Sequence, residues 1–78
     1  MKYEDLFNYL EKKCNFRKVK GKDTWTCYGD LRFTKQFCKE NKLSFIKLKR
    51  ALKETGGYCD CEVLLNSYER INGDDEIK

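Results

Sequence analysis

Gly56-Gly57-Tyr58-Cys59-Asp60-Cys61 is the stretch on which the reading of this 78-residue chain turns. Two adjacent glycines stop the helix before them, because glycine readily takes the left-handed backbone that closes a helix C-terminus. Tyr58-Cys59 then reads as a short extended link. Asp60 is placed to cap a new helix from Cys61 to about Ile71. The hexapeptide therefore predicts helix, break and helix. It also sets two thiols one residue apart. In extended backbone such positions face the same side. At a helix N-terminus the free N–H groups and the dipole favour the thiolate.

Working back from the glycines, Phe45 to Thr55 reads as a helix capped by Ser44, with Leu43 stapled against Leu48. Its apolar side holds Phe45, Leu48 and Leu52, and its other side holds Lys47, Lys49, Arg50 and Lys53. A preceding helix is expected from an N-cap at Thr34 to about Asn41, with Cys38 stapled on Phe33. Phe16–Val19 and Thr24–Tyr28 are rich in aromatic and β-branched residues, and Lys20-Gly21-Lys22-Asp23 joins them, which predicts a β-hairpin. At the N-terminus, Tyr3, Leu6, Phe7, Leu10 and Cys14 share one face of a helix. Downstream, Leu64, Tyr68 and Ile71 form the expected apolar stripe of the last helix. The expected fold is α+β: an N-terminal helix, a β-hairpin, then three short helices around one small core. Residues 1–71 form a single domain and residues 72–78 a frayed acidic tail.

Composition narrows the function. No apolar run is long enough to span a membrane. Met1-Lys2-Tyr3-Glu4-Asp5 does not open a signal-peptide pattern, so the expected compartment is the cytoplasm. There are no histidines. The commonest general base is therefore missing, and no carboxylates are paired for acid–base work. No glycine-rich phosphate loop or small-molecule substrate motif is present. The expectation is a protein that is not an enzyme.

Five cysteines, Cys14, Cys27, Cys38, Cys59 and Cys61, leave at least one thiol unpaired in any monomeric disulfide scheme. In a reducing compartment, metal binding or plain burial is favoured over disulfides. Cys59 and Cys61 can face one metal, and Cys27, on an expected strand just before a turn, can supply a third thiolate. A structural zinc takes four ligands. Cys14, Cys38 or Asp30 are candidates for the fourth. The competing reading is that the cysteines are small apolar packing residues, and it applies most directly to Cys14 and Cys38.

Thr55-Gly56-Gly57-Tyr58-Cys59-Asp60-Cys61-Glu62-Val63-Leu64 resembles the hallmark run of a family of short bacterial proteins known only as a domain of unknown function. Cys27-Tyr28-Gly29-Asp30-Leu31-Arg32-Phe33-Thr34 is similar to that family's second motif, Cys-Asp-His-Thr-Leu-Arg-Phe-Thr. The resemblance covers roughly residues 25–66. It implies a Cys₃His metal set in which Cys27, Cys59 and Cys61 supply the sulfurs. The histidine position falls on Gly29, so that ligand is replaced or the metal is lost. The resemblance implies no function.

Charge is strongly segregated. Residues 12–53 carry fourteen Lys/Arg against three Asp/Glu, and residues 54–78 carry a net −5. Lys35, Lys39, Lys47, Lys49, Arg50 and Lys53, with Trp25 as a stacking platform, make a candidate surface for nucleic acid or for an acidic or nucleoprotein partner. The leading expectation is a non-enzymatic binding or regulatory module acting through this basic surface, of the size and charge of a phage-type inhibitor of a nucleic-acid-processing machine. The alternative is a small zinc- or redox-responsive regulator built on Cys27, Cys59 and Cys61.

Overall fold

The computed structural model describes residues 1–77. Its fold is α+β, as expected: an N-terminal helix, an antiparallel hairpin, and three further helices, the last of them built in pieces. Helix α1 spans Tyr3–Lys13. Strands β1 (Arg17–Val19) and β2 (Lys22–Thr24) pair antiparallel, with Arg17 opposite Thr24 and Val19 opposite Lys22. Helices α2 (Arg32–Glu40) and α3 (Phe45–Glu54) follow. The chain then forms α4 (Asp60–Glu62), a π-helical segment (Val63–Ser67) and α5 (Tyr68–Arg70).

Helix α1 packs on α2 and on the π-helical segment, and α2 packs on α3 and α4. Between them lie Leu6, Leu10, Leu48, Leu52 and Val63, all essentially without solvent contact. Burying a side chain of this size contributes about 1.5–3 kcal/mol relative to leaving it exposed, so these five form the mechanical centre of the domain.

The three long helices end in the same way. Phe16 N–H donates to the Glu11 carbonyl at 2.9 Å, Leu43 N–H to the Cys38 carbonyl at 2.8 Å, and Gly57 N–H to the Leu52 carbonyl at 2.8 Å. Each bond closes over a residue of positive φ: Asn15 at 57°, Lys42 at 55° and Gly56 at 85°. These are Schellman endings. Only the third has the glycine that announces it.

Several boundaries differ from expectation. The hairpin turns on Lys20-Gly21, both at positive φ (51° and 79°), which is the two-residue geometry that follows strand twist. The turn is thus two residues tighter than expected, β2 begins at Lys22, and residues 25–28 lie outside the strand. Helix α2 starts at Arg32 with Leu31 as N-cap, so Thr34 is not the cap. Thr34 lies inside the first turn, fully buried, because Asp60 reaches it from across the fold. Cys38 is a core residue, a small apolar side chain packed in the cluster, as expected. Ser44 does cap α3, accepting from Lys47 N–H at 3.4 Å.

The expected stripe Leu64, Tyr68 and Ile71 is the core-facing side only in part: Leu64 and Ile71 pack half-buried against the core, and the Tyr68 ring lies edge-on to Phe7. Val63 and Ser67 are fully buried and Tyr68 is 59 % exposed. The π-helical segment places an extra residue in the turn and rotates the face. Residues 72–77, read above as part of a frayed tail, run back beside α1. Glu4 N–H donates to the Gly73 carbonyl at 2.9 Å and Tyr3 N–H to the Asp75 carbonyl at 3.0 Å. Lys2 bridges Glu76, and Ile77 is buried. Lys78 lies outside the described residues. Among the described residues no helix is long and apolar enough to cross a membrane.

Candidate metal centre and basic groove

Cys27 and the Cys59–Cys61 pair arrive from segments more than thirty residues apart and meet. Cys61 Sγ lies 2.9 Å from Cys27 Sγ and 3.1 Å from Cys59 Sγ, and Cys27 and Cys59 are 3.8 Å apart. These three cysteines can hold a metal ion. Sulfurs around one tetrahedral zinc at about 2.3 Å sit about 3.8 Å from one another. The longest edge already has that value, and the other two need to open by less than 1 Å.

Local backbone explains the placement. The helix stop at Gly56 turns the chain, and Gly57 sits so close to the last helix that an added Cβ would meet Ser67 Oγ at 2.7 Å and Val63 Cγ2 at 2.9 Å. That close approach carries Cys59 and Cys61 to the start of α4, both buried. Cys27 stays exposed on the loop that leaves the hairpin.

The thiols divide by environment. Hydrogen bonds from the Cys61 thiol and the Gly29 backbone N–H hold Cys27 below its usual value. Burial pushes Cys59 up, partly offset by the Cys61 thiol and the Glu62 backbone N–H. Burial also pushes Cys61 up, reinforced by the other two thiols. The expected activation of Cys59 and Cys61 at a helix N-terminus is thus reversed. A three-residue helix such as α4 has little dipole, and desolvation of a charged form outweighs it. The low-pKa thiol is Cys27.

The fourth-ligand candidates are elsewhere. Cys14 and Cys38 are buried in the core and are not in the sulfur cluster. Burial pushes the Cys14 thiol up to about 11. Asp30 is bound through both oxygens to the Arg32 guanidinium at 2.9 and 3.2 Å. Gly29 has no side chain to offer.

Asp60, between the two cysteines, does not cap its own helix. Its carboxylate accepts from Phe33 N–H at 2.9 Å, Thr34 N–H at 3.0 Å and Thr34 Oγ1 at 2.7 Å. Those amides belong to the first turn of α2, whose own N-cap, Leu31, has no acceptor. Asp60 is therefore an N-cap supplied in tertiary contact. Its backbone N–H donates to the Asp30 carbonyl at 2.9 Å. Burial pushes the Asp60 carboxyl up, and the Thr34 hydroxyl and the two amides pull it back.

Beside the sulfur cluster, a groove is lined by Gly29, Arg32, Lys35, Lys49, Lys53 and Tyr58 among others. None of the three cysteines lines it, but two of its lining residues neighbour them in the chain: Tyr58 adjoins Cys59 and Gly29 lies two residues past Cys27. Of the basic surface read from the sequence, Lys35, Lys49 and Lys53 come together here. Arg50 joins Lys49 and Lys53 around exposed Ile46 on the outer side of α3. Lys47 faces a different hollow, with Asp75 and Glu76. Lys39 is exposed on α2 but is not among the groove residues. Trp25 is not among them either. It stacks on Phe16 with centroids 5.3 Å apart and planes 9° from parallel. Arg32 was not singled out from the sequence. Its charge is visible there, but its place over Tyr28, 4.8 Å from the ring, comes from the turn at Gly29-Asp30.

The fold and the cluster define a small α+β domain with a three-cysteine centre that ties the loop after a hairpin to the start of a terminal helix. The chain belongs to the family described as "Protein of unknown function (DUF2695)", which it matches over residues 6–66. No curated protein and no solved structure matches it.

Proposed function

We propose that the protein is a non-enzymatic binding module in which zinc, held by Cys27, Cys59 and Cys61, fixes the wall of a basic groove that takes the phosphate backbone of a nucleic acid. The convergence of three sulfurs from distant segments beside that groove carries the reading. An all-sulfur set favours zinc over the hard cations, which take oxygen ligands. Gly29 N–H donates to Cys27 Sγ and Glu62 N–H to Cys59 Sγ. Such bonds favour the thiolate and orient a ligand.

In the groove, Arg32 is paired with Asp30, whereas Lys35, Lys49 and Lys53 have no ion-pair partner among the described residues. Uncommitted lysines at one concavity attract phosphate. Tyr58, 59 % exposed at its edge, offers a face on which a base can stack.

Two measurements test this. Metal analysis of anaerobically purified protein is expected to give one zinc per chain. Fluorescence anisotropy with a single-stranded oligonucleotide at about 50 mM salt is expected to show binding, weakened in Lys49→Glu/Lys53→Glu and little changed in Lys39→Ala. Three phosphate contacts correspond to a log–log salt slope of about −2 on a single strand. Zinc without oligonucleotide binding at low salt would turn the groove reading toward an acidic protein partner. Neither zinc nor binding would remove the proposal altogether.

A further inference from the structure

The sulfur cluster supplies three donors and a zinc site takes four. We infer that Glu62 is the fourth ligand, which makes the centre a Cys₃Glu site. This rests on the metal reading above.

Geometry and elimination carry it. Glu62 Oε1 lies 3.4 Å from Cys59 Sγ but stands outside the three-sulfur cluster, so its carboxylate must swing toward Cys27 and Cys61 to complete the site. An oxygen at about 2.1 Å and a sulfur at about 2.3 Å from one tetrahedral zinc are about 3.6 Å apart, close to the spacing observed. Glu62 is half-buried in the first turn of the helix that carries Cys61, so its backbone is fixed while its carboxylate can still rotate toward the ion. The other oxygen donors nearby are committed. Asp30 is held by Arg32 through both oxygens. Asp60 is turned away, with both oxygens engaged by Phe33 and Thr34 of α2.

Charge points the same way. With thiols protonated, the Glu62–Cys59 contact is an S–H···O hydrogen bond. Metal binding requires the thiolates and releases their protons to solvent. A carboxylate would then stand beside a cluster of anionic sulfurs at hydrogen-bond range. Such an arrangement is favourable when a shared divalent cation lies among them. Glu62, in contact with Cys59, thus fits as the ligand that closes the site.

The test is zinc affinity, read by competition with a chromophoric chelator, and the visible spectrum of the cobalt(II)-loaded chain. Glu62→Ala is expected to lower zinc affinity by at least about tenfold, the smaller end of what losing even an outer-shell partner costs, and to shift the cobalt d–d bands. Glu62→Cys is expected to restore affinity, with the bands moving to those of a four-sulfur site and stronger sulfur-to-cobalt charge transfer. Far-UV circular dichroism confirms that each variant remains folded, and Glu62→Gln provides a second, less disruptive loss of the charged donor. Full affinity and an unchanged cobalt spectrum in both Glu62→Ala and Glu62→Gln would overturn Glu62 while leaving the three-cysteine reading in place. A wild-type chain that takes up neither stoichiometric zinc nor cobalt would overturn both together.

Discussion

Asp60 shows how one residue can serve a helix it does not belong to. It is 2 % exposed and sits between two cysteines, where local rules assign it to the cap of its own helix. Its carboxylate instead closes the N-terminus of α2, twenty-six and twenty-seven residues earlier in the chain. Spacing rules see donors three residues away and cannot see these. Thr34 misleads for the same reason, since it looks like a cap and is the buried partner of a remote one. Asp60→Ala removes the acceptor for two amides and a buried hydroxyl. The loss is expected to be about 2–4 kcal/mol, combining a lost cap with unsatisfied buried donors. Asp60→Asn should fall between, because one oxygen can still serve Thr34 while the amide nitrogen opposes the Phe33 N–H. Urea unfolding measures both, and an unchanged midpoint for Asp60→Ala would exclude the cap. The cysteines give a second residue-scale test. Alkylation of reduced, metal-free protein is expected to label Cys27 first, as it is exposed and its thiol is held low, mainly by hydrogen bonding from Cys61. Cys14, fully buried with its thiol pushed up, should react late. Peptide mapping over time reads the order, and early labelling of Cys14 would contradict the burial described.

Among the elements, the helix endings separate what is legible in a sequence from what is not. Gly56 is legible because glycine is the residue that takes φ of +85° without strain. Asn15 and Lys42 close α1 and α2 with the same bond, and Lys42 carries no sequence sign of it. A lysine in the left-handed region costs about 1 kcal/mol or more. Glycine there gives back part of that through greater freedom of the unfolded chain. Lys42→Gly is therefore expected to stabilise the protein, by up to about 1 kcal/mol, seen as a higher urea midpoint at unchanged slope. Gly57 behaves oppositely. Gly57→Ala drives a methyl group into Val63 and Ser67 and toward the Leu52 carbonyl. It should cost about 1–3 kcal/mol, as overpacking does. The π-helical segment was not legible at all. It lets Asn66 Nδ2 reach the Gly56 carbonyl at 3.0 Å while Ser67 Oγ meets Thr55 Oγ1 at 2.6 Å. Those two contacts clasp the glycine turn, and Val63 and Ser67 are buried deeper than the half-buried Leu64 and Ile71 that 3.6-residue periodicity expects.

At the scale of the whole molecule, two devices join the segment 27–34 to the segment 59–62. One is the sulfur cluster, and the other is Asp60 with its bonds to Asp30, Phe33 and Thr34. The identities of the three cysteines were legible in the sequence, because their residue types and the Cys-x-Cys spacing belong together chemically. The contact of their neighbour Glu62 with Cys59 was not, because an acidic residue in the first turn of a helix is ordinary there and signals no sulfur partner. The second device needs no metal, and the core of Leu6, Leu10, Leu48, Leu52 and Val63 lies apart from the cysteine cluster. On the proposed reading, zinc would reinforce an existing junction, unlike in a zinc finger that has no fold without its ion. The expected outcome of chelation is retained far-UV helicity with a lower Tm. At free zinc about 1,000-fold above its Kd, binding contributes about 4 kcal/mol through mass action. The wild-type Tm should therefore rise with zinc concentration, while Cys27→Ser, which keeps Asp60 and the core, should stay folded and show little zinc dependence. Because proton competition at the thiols weakens metal binding, the wild-type zinc increment should also shrink as pH falls. Thermal melts of both chains with and without zinc, at two pH values, measure all three effects. Complete loss of helicity on chelation at room temperature would show that Asp60 and the apolar core do not hold the two segments together on their own.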